Sequence, residues 1–264
     1  MNALKRALFF ISIVIFCSVL VIAASRPALA ANKTVTVFAA ASMAESMNQI
    51  AELYKKIAPD VRIIYNFDSS GTLKTQIEQG ADCDLFISAG QKQMDQIEQK
   101  FIVPNTRFNL VSNTVVLIVP KGHNPDKINN FKDVVTDKVS MMALGNGDVP
   151  VGQYSQEIFT HLGIWEKLKN MNRISFAGNV KEVLAQVAVG AVDCGVVYST
   201  DAATSKGVDV VAEAPKNSHK PIVYPIAIIK GSKQETLAKK FAAFLKRDAA
   251  TSVLRSVGFT IPKR

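Results

Sequence analysis

The chain has 264 residues, of which 48% are hydrophobic and 20% charged, so it can bury one large core or two small ones and is not a disordered, collagen-like or multi-span membrane chain. Three cysteines exclude a disulfide scaffold. The formal charge of +9, from 31 basic and 22 acidic side chains, leaves nucleic acid, an acidic membrane surface or a small anion as partners to weigh.

The first thirty residues read as a secretory signal. Lys5 and Arg6 give a positive start, Ala7 to Ala24 is almost wholly apolar, and Ala28-Leu29-Ala30 is a small-x-small site, so cleavage is expected after Ala30. The alternative is a retained anchor, because the apolar run reaches the lower limit for a membrane span. Cys17 follows bulky Phe16, which argues against lipidation. Cleavage removes Lys5, Arg6 and Arg26 and no acid, leaving +6. It also leaves Cys83 and Cys194, either paired or as buried free thiols. Lys55, Lys56, Lys239 and Lys240 lie at helical spacing and read as a solvated face. With export, this argues against nucleic acid, and no zinc-finger or aromatic-basic signature is present.

Short apolar β-rich runs then alternate with amphipathic stretches. Strands are predicted at Thr34–Ala40, Val61–Phe67 and Asp84–Ser88. Helices are predicted at Met43–Ile57, with Met47, Ile50, Leu53 and Ile57 on one face, at Leu73–Gln79 and at Gln91–Gln99. The rhythm restarts with strands at Thr114–Val119, Val139–Leu144, Arg173–Phe176, Cys194–Tyr198, Val208–Ala212 and Ile222–Ile229. The helices among and after them are expected at Gly152–Leu162, Val180–Val189, Asp201–Ser205, Gln234–Lys246 and Ala249–Val257. This predicts an α/β fold of two lobes, each a mostly parallel sheet flanked by helices, with a ligand in the cleft between them. No linker separates the lobes, so strands near Asn109–Val115 and Lys220–Ile226 are expected to connect them. The domain reading is signal 1–30, first lobe 31–112, second lobe 113–223, and a return segment 224–264 to the first lobe.

Most catalytic chemistry finds no support. There is no G-x-S-x-G elbow and no H-E-x-x-H, and His123, His161 and His219 are scattered. Asp82 and Asp84 could serve a glycosidase but at this spacing read as solvated loop acids. Gly147 and Gly152 have phosphate-loop spacing, but Gln153 and Tyr154 stand where a nucleotide site needs Lys and Ser or Thr. What remains is a recurring junction in which a strand ends, a Gly/Ser/Asn turn follows and a helix begins. It occurs around Ser42, Ser70, Val151 and Val180. Each helix start offers unpaired N–H groups and the positive end of a dipole, a ready site for an anion. Taken singly, each has a plainer role. Ser42-x-x-Glu45 is also a capping box, Ser70 a turn residue, Val180 a core residue and Tyr198 a packing residue.

Several segments together resemble the periplasmic molybdate-binding proteins of ABC-type importers. They are VTVFAAASMAESM, NFDSSGTLKTQIEQGADCDLFISAGQKQMDQI, GDVPVGQYSQE, CGVVYSTDAATSKGVDVVA, VYPIAIIKG and the ending GFTIPKR. The resemblance spans essentially all of the chain after residue 30. It implies an exported, monomeric substrate-binding protein in the periplasm or at the outer face of the cytoplasmic membrane, with no catalytic role, no cofactor and no directly ligated metal. It implies a permease complex as partner and molybdate or tungstate as ligand. Oxyanion contacts would fall on the hydroxyls and amides of Ser42 and Ser70, the amides of Val151 and Val180, and the phenol of Tyr198. The family usually carries Ala in place of Val151, where only the amide matters, and often Ser in place of Gly71. The other readings are a receptor for a different tetrahedral oxyanion such as sulfate, a secreted hydrolase, or a sensor without transport.

Overall fold

The computed structural model describes residues 33–262, so the signal-peptide reading of 1–30 lies outside the described residues. Two five-stranded sheets organise the chain, in the orders β2-β1-β3-β10-β4 and β7-β6-β8-β5-β9. The first holds β1 (Lys33–Ala40), β2 (Val61–Asp68), β3 (Leu85–Ile87), β4 (Phe108–Ser112) and β10 (Val223–Ile228). The second holds β5 (Val115–Pro120), β6 (Met142–Gly145), β7 (Ile174–Ala177), β8 (Cys194–Tyr198) and β9 (Val208–Glu213). β10 runs antiparallel to both its neighbours and β5 to both of its own, while β1 with β3, and β6 with β7 and β8, are parallel. The two reversed strands are those the chain enters immediately after passing from one sheet to the other. β5 is apolar and buried along its whole length, as a strand covered on both faces requires.

Helices cover the sheets through apolar stripes. In α1 (Ala44–Lys55), Met47, Ile50 and Tyr54 are buried. Tyr54, seven residues after Met47, takes the place expected for Ile57, which lies beyond the helix end and is 56% exposed. Its ring meets Phe241 at 5.0 Å and Phe244 at 5.1 Å, on α8 (Glu235–Phe244), tying the return segment to the first lobe. α6 (Val180–Ala188) buries Val180, Val183, Leu184 and Val187. The remaining helices are α2 (Ser70–Glu78), α3 (Gln91–Phe101), α4 (Pro150–His161), α5 (Trp165–Asn170), α7 (Ser199–Ala203) and α9 (Asp248–Ser256).

Several expectations are corrected. The passage Asn109–Val115 is not one strand. β4 ends at Ser112 and β5 begins at Val115, because Asn113 Oδ1 takes the Thr114 N–H at 2.9 Å. β6 begins at Met142, not Val139, because the Asp193 carboxylate takes the amides of Ser140 (2.6 Å) and Met141 (2.9 Å) before the ladder starts. α2 and α4 begin earlier than expected, so Ser70 and Val151 lie in first turns rather than in preceding loops. α5 and a 3-10 turn at Phe131–Val135 were not anticipated. Asp84 is not a solvated loop acid. It is buried, accepting from Thr36 N at 2.7 Å and Ser232 Oγ at 2.5 Å, so it braces β1 against the segment before α8. Cys83 and Cys194 are free and buried, and burial pushes each thiol up to about 12.

Candidate functional site

Three helix starts leave their first amides unpaired. At α2, Ser69 caps the helix by accepting from Thr72 N at 3.1 Å. At α6, Asn179 accepts from Glu182 N at 3.1 Å. Each cap satisfies the third amide and leaves the first free. At α4, Pro150 has no N–H, so the first amide of that helix belongs to Val151. Among the described residues no protein acceptor meets the amides of Ser70, Val151 or Val180.

These starts lie close together where the two lobes meet. Ser70 Oγ accepts from the Ala89 amide at 2.8 Å. Tyr198, at the end of β8 in the other lobe, donates to the Ala89 carbonyl at 3.4 Å. The Tyr198 ring stands 5.8 Å from that of Tyr224 and 6.5 Å from that of Tyr154 on α4. Tyr224 Oη lies 2.9 Å from Ser42 Oγ. Val151 joins this cluster through α4, whose preceding loop touches α2. A Cβ on Gly71 would come within 2.3 Å of the Asp148 carbonyl, so glycine permits the approach. Likewise a Cβ on Gly152 would lie 2.2 Å from the Gly145 carbonyl, which keeps the end of β6 and the start of α4 in contact. Val180 joins because α6 packs against the 3-10 turn Ala41–Met43 that carries Ser42. The structure thus brings Ser42, Ser70, Val151, Val180 and Tyr198 into one region, all buried.

The capping role considered for Ser42 does not occur. Met43 is the N-cap of α1 and makes no side-chain cap bond, while the Ser42 hydroxyl faces Tyr224. Glu45, the other half of that box, reaches across to the second lobe. Both its oxygens lie 2.9 Å from Lys181 Nζ, which also stands 3.0 Å from Asp201 Oδ1 on α7. Burial alone would lower the Lys181 pKa, but Asp201 and Glu45 more than offset it and hold the ammonium above its usual range. Asp201 is fully buried, and burial drives its carboxyl up to about 6 despite Lys181. The cation next to Val180 is therefore already occupied by acids. Burial also raises the Tyr198 and Tyr224 phenols well above the usual tyrosine value, so both are neutral donors.

Sequence reasoning missed Asn113, Tyr224, Lys181 and Asp201. Their partners are remote in the chain, although Lys181 adjoins Val180 and Asp201 is the one acid in the stretch from Cys194 to Ala203. Of the histidines, His123 and His161 are exposed and His219 packs its ring 5.8 Å from Tyr154. None touches Ser42 or Ser70 in the contacts described. No group of three or more potential metal ligands is found among the described residues.

Two α/β lobes with helix starts converging between them define a two-lobed solute-binding protein. Residues 35–260 match the bacterial extracellular solute-binding protein family, and the chain belongs to that family. It is 39% identical over 235 residues to the molybdate-binding protein ModA of Haemophilus influenzae, covering 88% of this chain and 91% of that one. It is 40% identical over 239 residues to ModA of Escherichia coli, covering 89% and 91%. The fold superposes on the periplasmic molybdate-binding protein of Azotobacter vinelandii with a TM-score of 0.78 at 25% identity, covering 87% of this chain and all of that one.

Proposed function

We propose that this protein captures molybdate, with tungstate as an equivalent guest, outside the cytoplasm and delivers it to an ABC-type importer. Ser42, Ser70, Val151, Val180 and Tyr198 are its contacts. The observation that carries this reading is the meeting of unpaired first amides from α2, α4 and α6 with two hydroxyl-bearing serines and a neutral phenol, with no unengaged cation among them. The amides can only donate, and each serine and the phenol has a proton to give, so the set is rich in donors, holds no carboxylate acceptor, and favours a fully deprotonated oxyanion. Each hydrogen bond to an ionised guest contributes about 1.5–3 kcal/mol. Lobe closure would bring donors from both sides onto the guest. The ModA relatives, named for molybdate binding, support the same guest.

Turnover is not expected. A nucleophilic serine needs a base, but the nearest partner of Ser42 is the neutral phenol of Tyr224 and that of Ser70 is an amide N–H. Calorimetry tests the assignment. Molybdate and tungstate should give saturable heats, sulfate weaker binding because it is smaller, and hydrogen phosphate little or none. Equal affinity for phosphate and molybdate would contradict it.

A further inference from the structure

We propose that Tyr224 and Asn113 are positioning residues that fix the Ser42 hydroxyl as a hydrogen-bond donor and so set the preference for an unprotonated oxyanion. This inference rests on the oxyanion-receptor reading above. The Thr114 backbone N–H can only donate, and it donates to Asn113 Oδ1 at 2.9 Å. Ser199 Oγ donates to the same oxygen at 3.0 Å. The amide of Asn113 is thereby oriented, and its opposite side can only be Nδ2. Nδ2 donates to Thr200 Oγ1 at 2.9 Å and to Tyr224 Oη at 3.2 Å. Tyr224 Oη is thus an acceptor toward Asn113, and its own proton needs an acceptor. We assign that proton to Ser42 Oγ, 2.9 Å away, in a contact where either hydroxyl can donate. With that lone pair occupied, the Ser42 proton is directed elsewhere, toward the cleft.

The chain of donors runs outward, from a backbone amide through Asn113 and Tyr224 to Ser42. Tyr224 is fully buried, so water does not compete for its hydroxyl. Ser70 is polarised in a simpler way, since the Ala89 amide fills one of its lone pairs. A guest bearing a proton would need an acceptor, and on each serine one of the two lone pairs is already engaged, on Ser70 by the Ala89 amide and on Ser42 by Tyr224. Asn113 occupies the passage from β4 to β5, and its backbone N–H bonds the Ile222 carbonyl at 3.2 Å just before β10. The residue that sets the polarity therefore sits where both chain crossings meet.

The test is a double-mutant cycle read by calorimetry with molybdate and with inorganic phosphate at neutral pH, on wild type, Tyr224→Phe, Ser42→Ala and the double variant. Tyr224→Phe is expected to weaken molybdate binding about tenfold. It is also expected to narrow the molybdate-to-phosphate affinity ratio, because Ser42 is then free to turn and accept. In the Ser42→Ala background the same change should have no further effect on that ratio, an outcome a merely structural tyrosine would not give. If Tyr224→Phe does not fold, Asn113→Ala should show the same dependence on Ser42. Equal shifts in both backgrounds, or an unchanged ratio in Tyr224→Phe, overturn the inference while leaving the receptor reading intact. A wild type that binds no oxyanion overturns both.

Discussion

Replacing Lys181 with methionine should destabilise the protein by about 3–5 kcal/mol at pH 7.5, because it strands a fully buried carboxylate without its cation. Lys181 Nζ is 3.0 Å from Asp201 Oδ1, and Asp201 has no exposed surface. The effect should depend on pH. Asp201 has a folded-state pKa of about 6 against 3.8 for the free group, so the folded protein holds its proton over the interval between them. The stability this group contributes is fully present below 3.8 and is lost as pH rises through about 6. Removing Lys181 moves the folded value higher still. The variant should therefore recover much of its deficit at pH 5, and the double change Lys181→Met with Asp201→Asn should recover it at both pH values. The other charged group facing the pair is Glu45, which is partly exposed, while the nearby Tyr198 and Tyr224 phenols stay neutral. Glu45→Gln should accordingly cost no more than about 1 kcal/mol. Urea unfolding at the two pH values checks all of these. A loss in Lys181→Met that is small and independent of pH would show that the pair is not the buried charge couple described.

Ser42→Ala and Ser70→Ala should each weaken molybdate binding by roughly ten- to 150-fold, the equivalent of one charge-assisted hydrogen bond. Their costs to the fold should differ in origin. Ser70→Ala leaves the Ala89 amide without its acceptor, and with the hydrogen-bond direction inferred above Ser42→Ala leaves the Tyr224 hydroxyl without one. Each orphaned buried donor costs about 1–3 kcal/mol, which lowers the unfolding midpoint without abolishing folding. Calorimetry beside a denaturant titration separates the two effects. Wild-type affinity in both variants would remove these serines from the site.

Much of this arrangement was legible in the sequence because it is local. The βα rhythm, the apolar run of β5 and the strand-to-helix junctions at Ser70, Val151 and Val180 are each written within about ten residues. The elements missed were short or lacked a clear period, as with α5 and the 3-10 turn at Phe131–Val135. Boundaries moved where a distant side chain captured a backbone amide, as Asp193 does before β6. The same distance hid the partners of the site. Ser42 and Tyr224 are 182 residues apart, and Lys181 and Glu45 are 136 apart. Both contacts bring together residues distant in sequence. Ser42-x-x-Glu45 shows the consequence. As a local pattern it reads as a cap, yet both side chains are engaged by residues far along the chain, and neither caps the helix.

The most direct measurement is a crystal structure of the protein grown with sodium molybdate. The account predicts the anion between the two lobes, with its oxygens within hydrogen-bond distance of the hydroxyls of Ser42, Ser70 and Tyr198 and the amides of Val151 and Val180, and with Lys181 still held by Glu45 and Asp201. An anion bound elsewhere, or seated against a lysine or arginine side chain, would contradict it.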